Sequence, residues 1–275
     1  MAQFRRALNS FLLVLMLLTA LDIASRTSFA QDNHVVYRVA FVTEDDVLNV
    51  RTGPGVDNDI IGTLPPDEAG ITITGPAVQV GQSLWVPIHH SSLAGWVNRG
   101  FLTEQVVSRE FCRDVRVFAL IANLKTAVEE RDGAVLSALI RPERGLRVRL
   151  NRWNTEVHLS ADEVANLFTD STVRGWGSGQ GSGLPIEGTA VDVLLPLIER
   201  DLLPDRLLAC DQVLGGPTTG LLILPPEYNA IHFYSIYRPA SVAQNEFDWG
   251  AWAVGIEYWY DQPYLSYLVH YVWEI

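Results

Sequence analysis

Three residue types are scarce in this chain of 275 residues. Lysine occurs once, and cysteine and methionine occur twice each, while acidic residues outnumber lysine plus arginine by 32 to 20. A protein with a formal net charge of −12 repels phosphate backbones, so we expect no nucleic-acid partner. Two cysteines suffice for a single disulfide.

Motifs of several catalytic and cofactor sites are missing as well. The sequence has no H-E-x-x-H, and its glycine-rich run at residues 175–183 fits neither G-x-G-x-x-G, nor G-x-x-x-x-G-K-[ST], nor G-x-S-x-G. We therefore predict no catalytic residue, no metal site and no cofactor. Two carboxylates that only folding brings together leave no sequence motif, so a cell-wall-remodelling hydrolase stays an alternative.

An apolar run long enough to resemble a targeting signal lies near the N-terminus. Arg5 and Arg6 precede the apolar residues 11–21, and the cleavage-type residues 28–30 follow. This order is typical of a signal peptide, and the run is too short to span a bilayer. We predict a signal peptide at residues 1–30, a secreted or cell-envelope location, and no transmembrane helix after cleavage. An uncleaved anchor is the alternative.

Cys112 and Cys210 are the two cysteines. Exported proteins enter an oxidising environment, in which paired cysteines form disulfides. We predict a Cys112–Cys210 disulfide, and the chain-entropy model gives a loop of this length a stabilisation of roughly 4–5 kcal/mol. Two buried free thiols are the alternative.

Short strands and turns fill the sequence between residues 37 and 102. Residues 48–51 (LNVR) alternate apolar and polar side chains, and residues 53–55 (GPG) have the composition of a turn. Four further short apolar segments follow at similar spacing. Five short strands in so short a stretch predict a small all-β barrel.

The motifs of this stretch resemble the bacterial SH3 (SH3b) domain over residues 35–105. They are residues 48–55 (LNVRTGPG), 61–65 (IGTLP), 85–86 (WV), 95–98 (GWVN) and 101–102 (FL). The resemblance implies a small β-barrel of exported bacterial proteins that binds cell-wall peptides or glycans, or docks beside another domain. Trp85 and Trp96 are then candidates for stacking on a sugar or peptide, with core packing as the alternative for each.

Helical patterns followed by alternating strands occupy residues 110–275. This order predicts an α+β domain with a curved antiparallel sheet, of which the NTF2-like cone is one example. Residues 147–153 and 271–275 resemble uncharacterised C-terminal regions that accompany SH3b modules, and this resemblance implies no activity.

Candidate ligand contacts of the second domain lie in a basic cluster, in a glycine-rich segment and in the predicted strands near the C-terminus. Arg147, Arg149 and Arg152, with Trp153, form a basic cluster. Arg147 and Arg149 suit a carboxylate or sulfate, unless they pair with the protein's own acidic residues. Trp176 begins a Gly/Ser-rich segment that we interpret as a mobile loop, with a lid as the less favoured alternative.

Aromatic side chains alternate with a few ionisable ones along a hairpin predicted at residues 252–274. Glu257 belongs to this hairpin, and His232 lies in a neighbouring predicted strand. Such a mixture suits the wall of a ligand pocket. The alternatives are that the aromatic residues pack beneath the helices and that the histidines are ordinary polar positions of the sheet.

The leading interpretation is a non-enzymatic envelope protein. Its SH3b module would bind cell-wall peptide or glycan, or an envelope protein, and its C-terminal domain would bind a ligand or partner through the aromatic sheet face. A small-ligand carrier is a second alternative beside the hydrolase.

The predicted disulfide has a direct chemical test. Alkylation of natively secreted protein without reduction is expected to leave both cysteines unlabelled, because bridged sulfurs do not react with the reagent. Mass spectrometry measures the label, and both cysteines should react after reduction. Two labelled thiols in the unreduced protein would show that the bridge does not form.

Overall fold

A computed structural model of the chain describes residues 35–204, 207–241 and 245–274. The predicted signal peptide at residues 1–30 lies outside these ranges. Within them the protein is mostly β-sheet with few helices. None of the described helices has both the length and the apolar character needed to cross a membrane.

The N-terminal region, residues 35–104, consists of short strands. They are β1 (Tyr37–Val39), β2 (Leu48–Arg51), β3 (Ile60–Leu64), β4 (Thr72–Ile73), β5 (Val78–Val80), β6 (Ser83–His90), β7 (Leu93–Asn98) and β8 (Leu102–Glu104). Strands β3, β2, β7, β6 and β4 form a sheet in that order, with β5 beside β6, and β1 pairs with β8. Leu48 and Val50 of β2 point into the core, as their alternation predicts.

The C-terminal region, residues 106–274, combines helices with a second large sheet. Its helices are α1 (Ser108–Phe111), α2 (Val115–Glu129), α3 (Gly133–Ala138), α4 (Ala161–Ala165) and α5 (Ala190–Asp201). Its strands are β9 (Leu146–Arg149), β10 (Val157–Leu159), β11 (Arg174–Ser178), β12 (Pro185–Gly188), β13 (Leu207–Cys210), β14 (Phe233–Arg238), β15 (Gly250–Trp259) and β16 (Gln262–Val272).

Six of these strands form one sheet in the order β10-β9-β16-β15-β14-β13, while β11 and β12 form a separate hairpin. The sheet is not wholly antiparallel as predicted, because β9 and β16 run parallel. Parallel neighbours need a long crossover connection, and here the chain between β9 and β16 includes α4, α5 and six other strands.

Local signals place two of the helices. The sequence pattern S-x-x-E at residues 160–163 predicts a capping box at the start of α4. The structure confirms it, because the Ser160 hydroxyl accepts a hydrogen bond from the Glu163 amide and the Glu163 carboxylate accepts one from the Ser160 amide. Thr189 caps α5 by accepting a hydrogen bond from the amide of Asp192.

The sequence predicts the turn of the β15–β16 hairpin at residues 261–263, but the structure turns at Tyr260 and Asp261. Both residues have positive φ angles, 51° and 57°. Two-residue hairpin turns of type I′ require positive φ at both central positions. Pro263, expected in the turn, lies in β16 opposite Tyr258.

A bulge in β16 changes which side chains share a face. Tyr267 pairs with Gly255 and Leu265 with the next residue of β15, so Ser266 is the extra residue. Leu265 therefore packs with Leu268 in the core beneath the helices, whereas Tyr267 faces the other side of the sheet.

The aromatic face of the sheet is covered. Tyr267 and Tyr271 are buried with Trp249 and Phe233, and Tyr228 stacks on Tyr267 with ring centroids 4.4 Å apart. The face expected to form an open pocket wall is thus mainly a packed core, but this core contains no residue of α1 to α5, so these aromatic residues do not pack beneath the helices as the alternative interpretation proposes.

The disulfide between Cys112 and Cys210 is present, as predicted, with 5.8 Å between the two Cα atoms. It joins the residue after α1 to the last residue of β13, which is an edge strand of the large sheet. The Tyr234 hydroxyl donates a hydrogen bond to the Cys112 carbonyl at 2.9 Å. The start of the C-terminal region is therefore fixed to this edge.

The N-terminal and C-terminal regions share buried contacts. Trp259 of β15 is 5 % exposed and packs in the core of the N-terminal region, 5.2 Å from Tyr37 between ring centroids. Arg141 lies over the indole of Trp259 at 4.1 Å. The predicted domain boundary at residues 105–110 follows β8 and includes the first residues of α1, and it stays a prediction.

We expect Trp259→Ala to destabilise the protein by about 3–5 kcal/mol, because it removes a large side chain that completes the N-terminal core. Denaturant unfolding followed by circular dichroism measures the loss. Trp153→Ala is the matched control, since Trp153 is 64 % exposed and surface substitutions change stability little. Equal unfolding midpoints for both variants would show that Trp259 does not hold the two regions together.

Candidate functional site

A groove opens on the N-terminal region, with a cavity volume of about 210 Å³. We call it the N-terminal groove; Phe41, Val47, Val56, Trp85, Asn98 and Phe101 contribute to its lining. Segment 41–56 supplies one wall and strands β6 and β7 supply the other. Most of the lining residues are apolar, and Asp46, Asn49, Arg51 and Asn98 add polar and charged groups. A mainly apolar lining with a few polar groups is typical of small ligand sites.

Backbone geometry positions the floor and rim of the groove. Trp85 pairs with Asn98 across β6 and β7 and is only 5 % exposed. The Asn98 side chain accepts a hydrogen bond from the Gly100 amide at 2.9 Å, which fixes the turn that follows β7. At the rim, Val47 is 40 % and Val56 is 69 % exposed. The groove therefore has a rigid aromatic floor and an apolar rim open to solvent.

Phe41 lines the groove and has an unusual backbone conformation. Its φ angle is 60°, which is rare for a bulky residue and often marks a functional position. Its amide donates to the carbonyl of Glu227 at 3.1 Å, and the guanidinium of Arg147 lies 4.2 Å from its ring. Residues of the C-terminal region thus contact and position Phe41, which is a wall residue of the N-terminal groove.

The structure separates the two tryptophans predicted to bind a ligand. Trp85 lines the groove, whereas Trp96 of β7 pairs with Pro87 and is half-buried outside the groove lining. Neighbouring strand residues point to opposite faces, and Val97 is the core residue of that pair. Sequence alone gave no means of choosing between the two indoles.

The predicted basic cluster is occupied by the protein's own carboxylates. Arg147 forms an ion pair with Glu156, and Arg149 forms one with Glu227. Burial lowers the pKa of Arg149, but the neighbouring Tyr228 and Glu227 outweigh it and leave the pKa raised.

Trp153 and Trp176 differ sharply in exposure. Trp153 is 64 % exposed and donates its Nε1 proton to Glu274 at 3.0 Å. Trp176 is 1 % exposed and donates its Nε1 proton to the Gly188 carbonyl at 3.0 Å. The expected mobile loop at residues 176–183 begins inside the β11–β12 hairpin, so Trp176 is a core residue of that hairpin rather than part of a lid.

Glu257 is fully buried between two arginines. Its carboxylate meets Arg141 at 2.7 Å and Arg144 at 2.9 Å, and Ser266 donates to it at 3.2 Å. Burial lowers the pKa of Arg144 to about 9. With no exposed side-chain surface, Glu257 is not placed to meet a ligand.

His232 belongs to a second polar cluster, next to the disulfide. Its Nδ1 lies 2.8 Å from Asp211, and its Nε2 lies 2.8 Å from the Val106 carbonyl. Both partners are acceptors, so the imidazole satisfies both only when it is protonated. Burial lowers the pKa of His232, but the hydrogen bonds to Asp211 and Val106 outweigh it and the pKa is raised.

Ser108 completes this cluster without forming a hydrolase triad. Its hydroxyl donates to Asp211 at 2.5 Å, not to His232. A serine nucleophile needs a histidine base within hydrogen-bond reach, and both nitrogens of His232 are already engaged. Cys112 and Cys210 come close to Asp211, but their sulfurs are bridged and offer no thiolate to a metal.

A second cavity, of about 370 Å³, lies in the C-terminal region. We call it the C-terminal cavity; it is bounded by α5, the end of β11 and the end of β16. His270 of β16 lines it and contacts Asp201 at 2.7 Å. Burial lowers the pKa of His270. No sequence pattern predicts this cavity, because its lining residues come from segments far apart in the chain.

The His232–Asp211 pair should make stability depend on pH. The folded state holds the His232 proton more tightly than the unfolded state, whose histidine pKa is about 6.5. Its stabilisation, on the order of 1 kcal/mol, is therefore complete below about pH 6.5 and lost as pH rises through the raised folded-state pKa. The measurement is chemical unfolding between about pH 5 and pH 9 for the natural protein and His232→Gln.

His89→Gln is the matched control, because His89 is exposed on β6. We expect its stability curve to run parallel to that of the natural protein. If the His232→Gln curve also runs parallel, the buried imidazolium contributes nothing specific.

Comparison of this chain with protein-family models, with curated proteins and with solved structures finds no match. The resemblance of residues 35–105 to the bacterial SH3 domain therefore depends on the motifs of this sequence alone.

Proposed function

We propose that the protein is an exported, non-enzymatic binding protein of the bacterial cell envelope. In this proposal residues 35–105 are an SH3-like barrel, and the N-terminal groove binds cell-wall peptide or glycan. Residues 110–275 are an α+β domain that we compare with the NTF2-like cone by analogy of element order only.

The observation that carries the proposal is the N-terminal groove itself. Trp85, one of the two predicted contact residues, forms its floor, and the exposed Val47 and Val56 form its rim. An extended, partly apolar chain such as a wall peptide, or the ring face of a glycan, can lie on such a surface. The apolar rim also has no other described cover.

Export is supported by chemistry as well as by the leader pattern. The Cys112–Cys210 bridge fits an oxidising compartment outside the cytoplasm. The groups that a hydrolase would use are otherwise engaged, since Glu257 is enclosed by arginines and His232 by two acceptors. These contacts favour binding over bond cleavage.

The test introduces a charge at the rim of the groove. Val56→Glu should weaken co-sedimentation of the purified protein with purified peptidoglycan at least tenfold, about 1.4 kcal/mol, because a carboxylate disrupts apolar contact without entering the core. Val78→Glu is the matched control, since Val78 is 37 % exposed on β5 and does not line the groove.

Both variants should unfold at the same temperature as the natural protein. Failure of the natural protein to sediment would overturn the cell-wall proposal and point to an envelope protein as the ligand. Equal sedimentation by Val56→Glu would show that the wall binds elsewhere.

A further inference from the structure

The C-terminal cavity has the volume and the composition of a small-molecule site. Its volume of about 370 Å³ falls within the range of known ligand pockets, about 300–1,000 Å³. Phe247, Trp249 and Trp273 give it aromatic walls, while Asn154 and Gln180 give it primary amides. None of these residues contributes to the N-terminal groove.

The charged groups of the cavity are already neutralised by the protein. Asp248 pairs with Arg238 at 3.3 Å and accepts a hydrogen bond from Ser241 at 2.8 Å. Arg200 pairs with Asp201 at 2.7 Å. A charged ligand would find no uncompensated counter-charge among these groups, so the lining favours a neutral one.

Asn154 is one of the residues that line the cavity, and its side-chain nitrogen is unpaired. The residue is 5 % exposed, and its Oδ1 accepts the Ser178 amide at 3.0 Å. Its Nδ2 is buried and has no hydrogen-bond partner among the described residues. A buried donor left unpaired costs free energy, and a ligand oxygen that reached Nδ2 would recover that cost.

One glycine of the glycine-rich run, Gly177, is required by the position of the Asn154 side chain. A Cβ atom on Gly177 would lie 2.3 Å from the Asn154 side chain, and Gly177 has a φ angle of 103°. Only glycine permits this close approach and this backbone conformation. The run therefore holds Asn154 in the orientation that directs Oδ1 to Ser178 and leaves Nδ2 unpaired.

Aromatic rings stand beside these amides at the rim. Phe247 is 47 % exposed, and its ring centroid lies 5.0 Å from that of Trp273. Rings of this kind contact the apolar C–H face of a sugar, while primary amides, which both donate and accept, match hydroxyl groups, which do the same. The combination fits a ring that carries many hydroxyls and no charge.

We propose that the C-terminal cavity binds a neutral saccharide unit. Phe247 and Trp273 contact its ring face, and Asn154 and Gln180 form hydrogen bonds with its hydroxyl or carbonyl oxygens. The site is separate from the N-terminal groove and does not depend on the function proposed for that groove.

The test titrates the full-length mature protein with defined sugars and follows tryptophan fluorescence and saturation-transfer NMR. The neutral probes are N-acetylglucosamine, its disaccharide, glucose, galactose and maltose; glucuronate is the anionic probe and indole is the apolar one. We expect binding of at least one neutral sugar and weaker binding of glucuronate. Preference for the N-acetylated probes would indicate a wall glycan as the source, and preference for the others a free sugar.

Two substitutions test whether a bound sugar occupies the C-terminal cavity. Phe247→Ala removes a rim ring, and Asn154→Asp keeps the acceptor for Ser178 while replacing the unpaired donor with an acceptor. Each should weaken the best sugar at least tenfold. Phe118→Ala is the matched control, since Phe118 is 43 % exposed on α2, and it should bind as the natural protein does.

Several results would overturn the proposal. They are the absence of binding by any neutral sugar, tighter binding of glucuronate or indole, or unchanged affinity in Phe247→Ala. Asn154→Asp is interpreted only when its circular dichroism spectrum is native. If that spectrum is not native, the sugar affinity of Phe247→Ala alone decides whether the sugar binds in the C-terminal cavity. Val56→Glu should bind the sugar normally, so failure of the groove and failure of the cavity are distinguished.

Discussion

The buried carboxylate of Glu257 is the constraint on which the arrangement of the protein depends. Arg141 and Arg144 enclose it, and Arg144 also donates to the carbonyls of Gly100 at 2.7 Å and Leu102 at 2.6 Å. Replacing such a cluster by apolar residues can be neutral, but removing one partner costs about 3–5 kcal/mol because a charge is left buried and unpaired. The cluster therefore specifies how the end of the N-terminal region meets the large sheet.

This junction has consequences for the N-terminal groove. Arg144 lies 4.7 Å from the ring of Phe41, so the same guanidinium that pairs with Glu257 also packs against a wall residue of the groove. Trp259, two residues after Glu257, fills the N-terminal core from the other side. A stretch that resembles a self-contained module in sequence therefore takes part of its core from the C-terminal region, and residues of that region also pack against Phe41 of its groove wall.

Sequence was a good guide where the determining contacts are local. The alternation of Leu48 and Val50, the capping box of Ser160, and the pairing of the two cysteines followed from spacing, capping chemistry and count. Prediction was poor where distant residues decide. The bulge at Ser266 moved Leu265 to the other face of the sheet, and three-dimensional packing alone reveals the arginines around Glu257 or the C-terminal cavity. The sequence does not distinguish Trp85 from Trp96 as a ligand contact, and of the two only Trp85 lines the groove.

The two histidine–aspartate pairs show how surroundings decide the charge of a site. Asp211 forms an ion pair with His232 alone among the described basic groups, and the pKa of His232 is raised. Asp201 already pairs with Arg200 and Arg238, and the fully buried His270 beside it has a lowered pKa. A further positive charge on His270 would be desolvated beside a carboxylate that is already compensated, so His270 stays neutral. The wall of the C-terminal cavity therefore keeps its charge balance over the pH range in which His232 titrates, as recognition of an uncharged ligand requires.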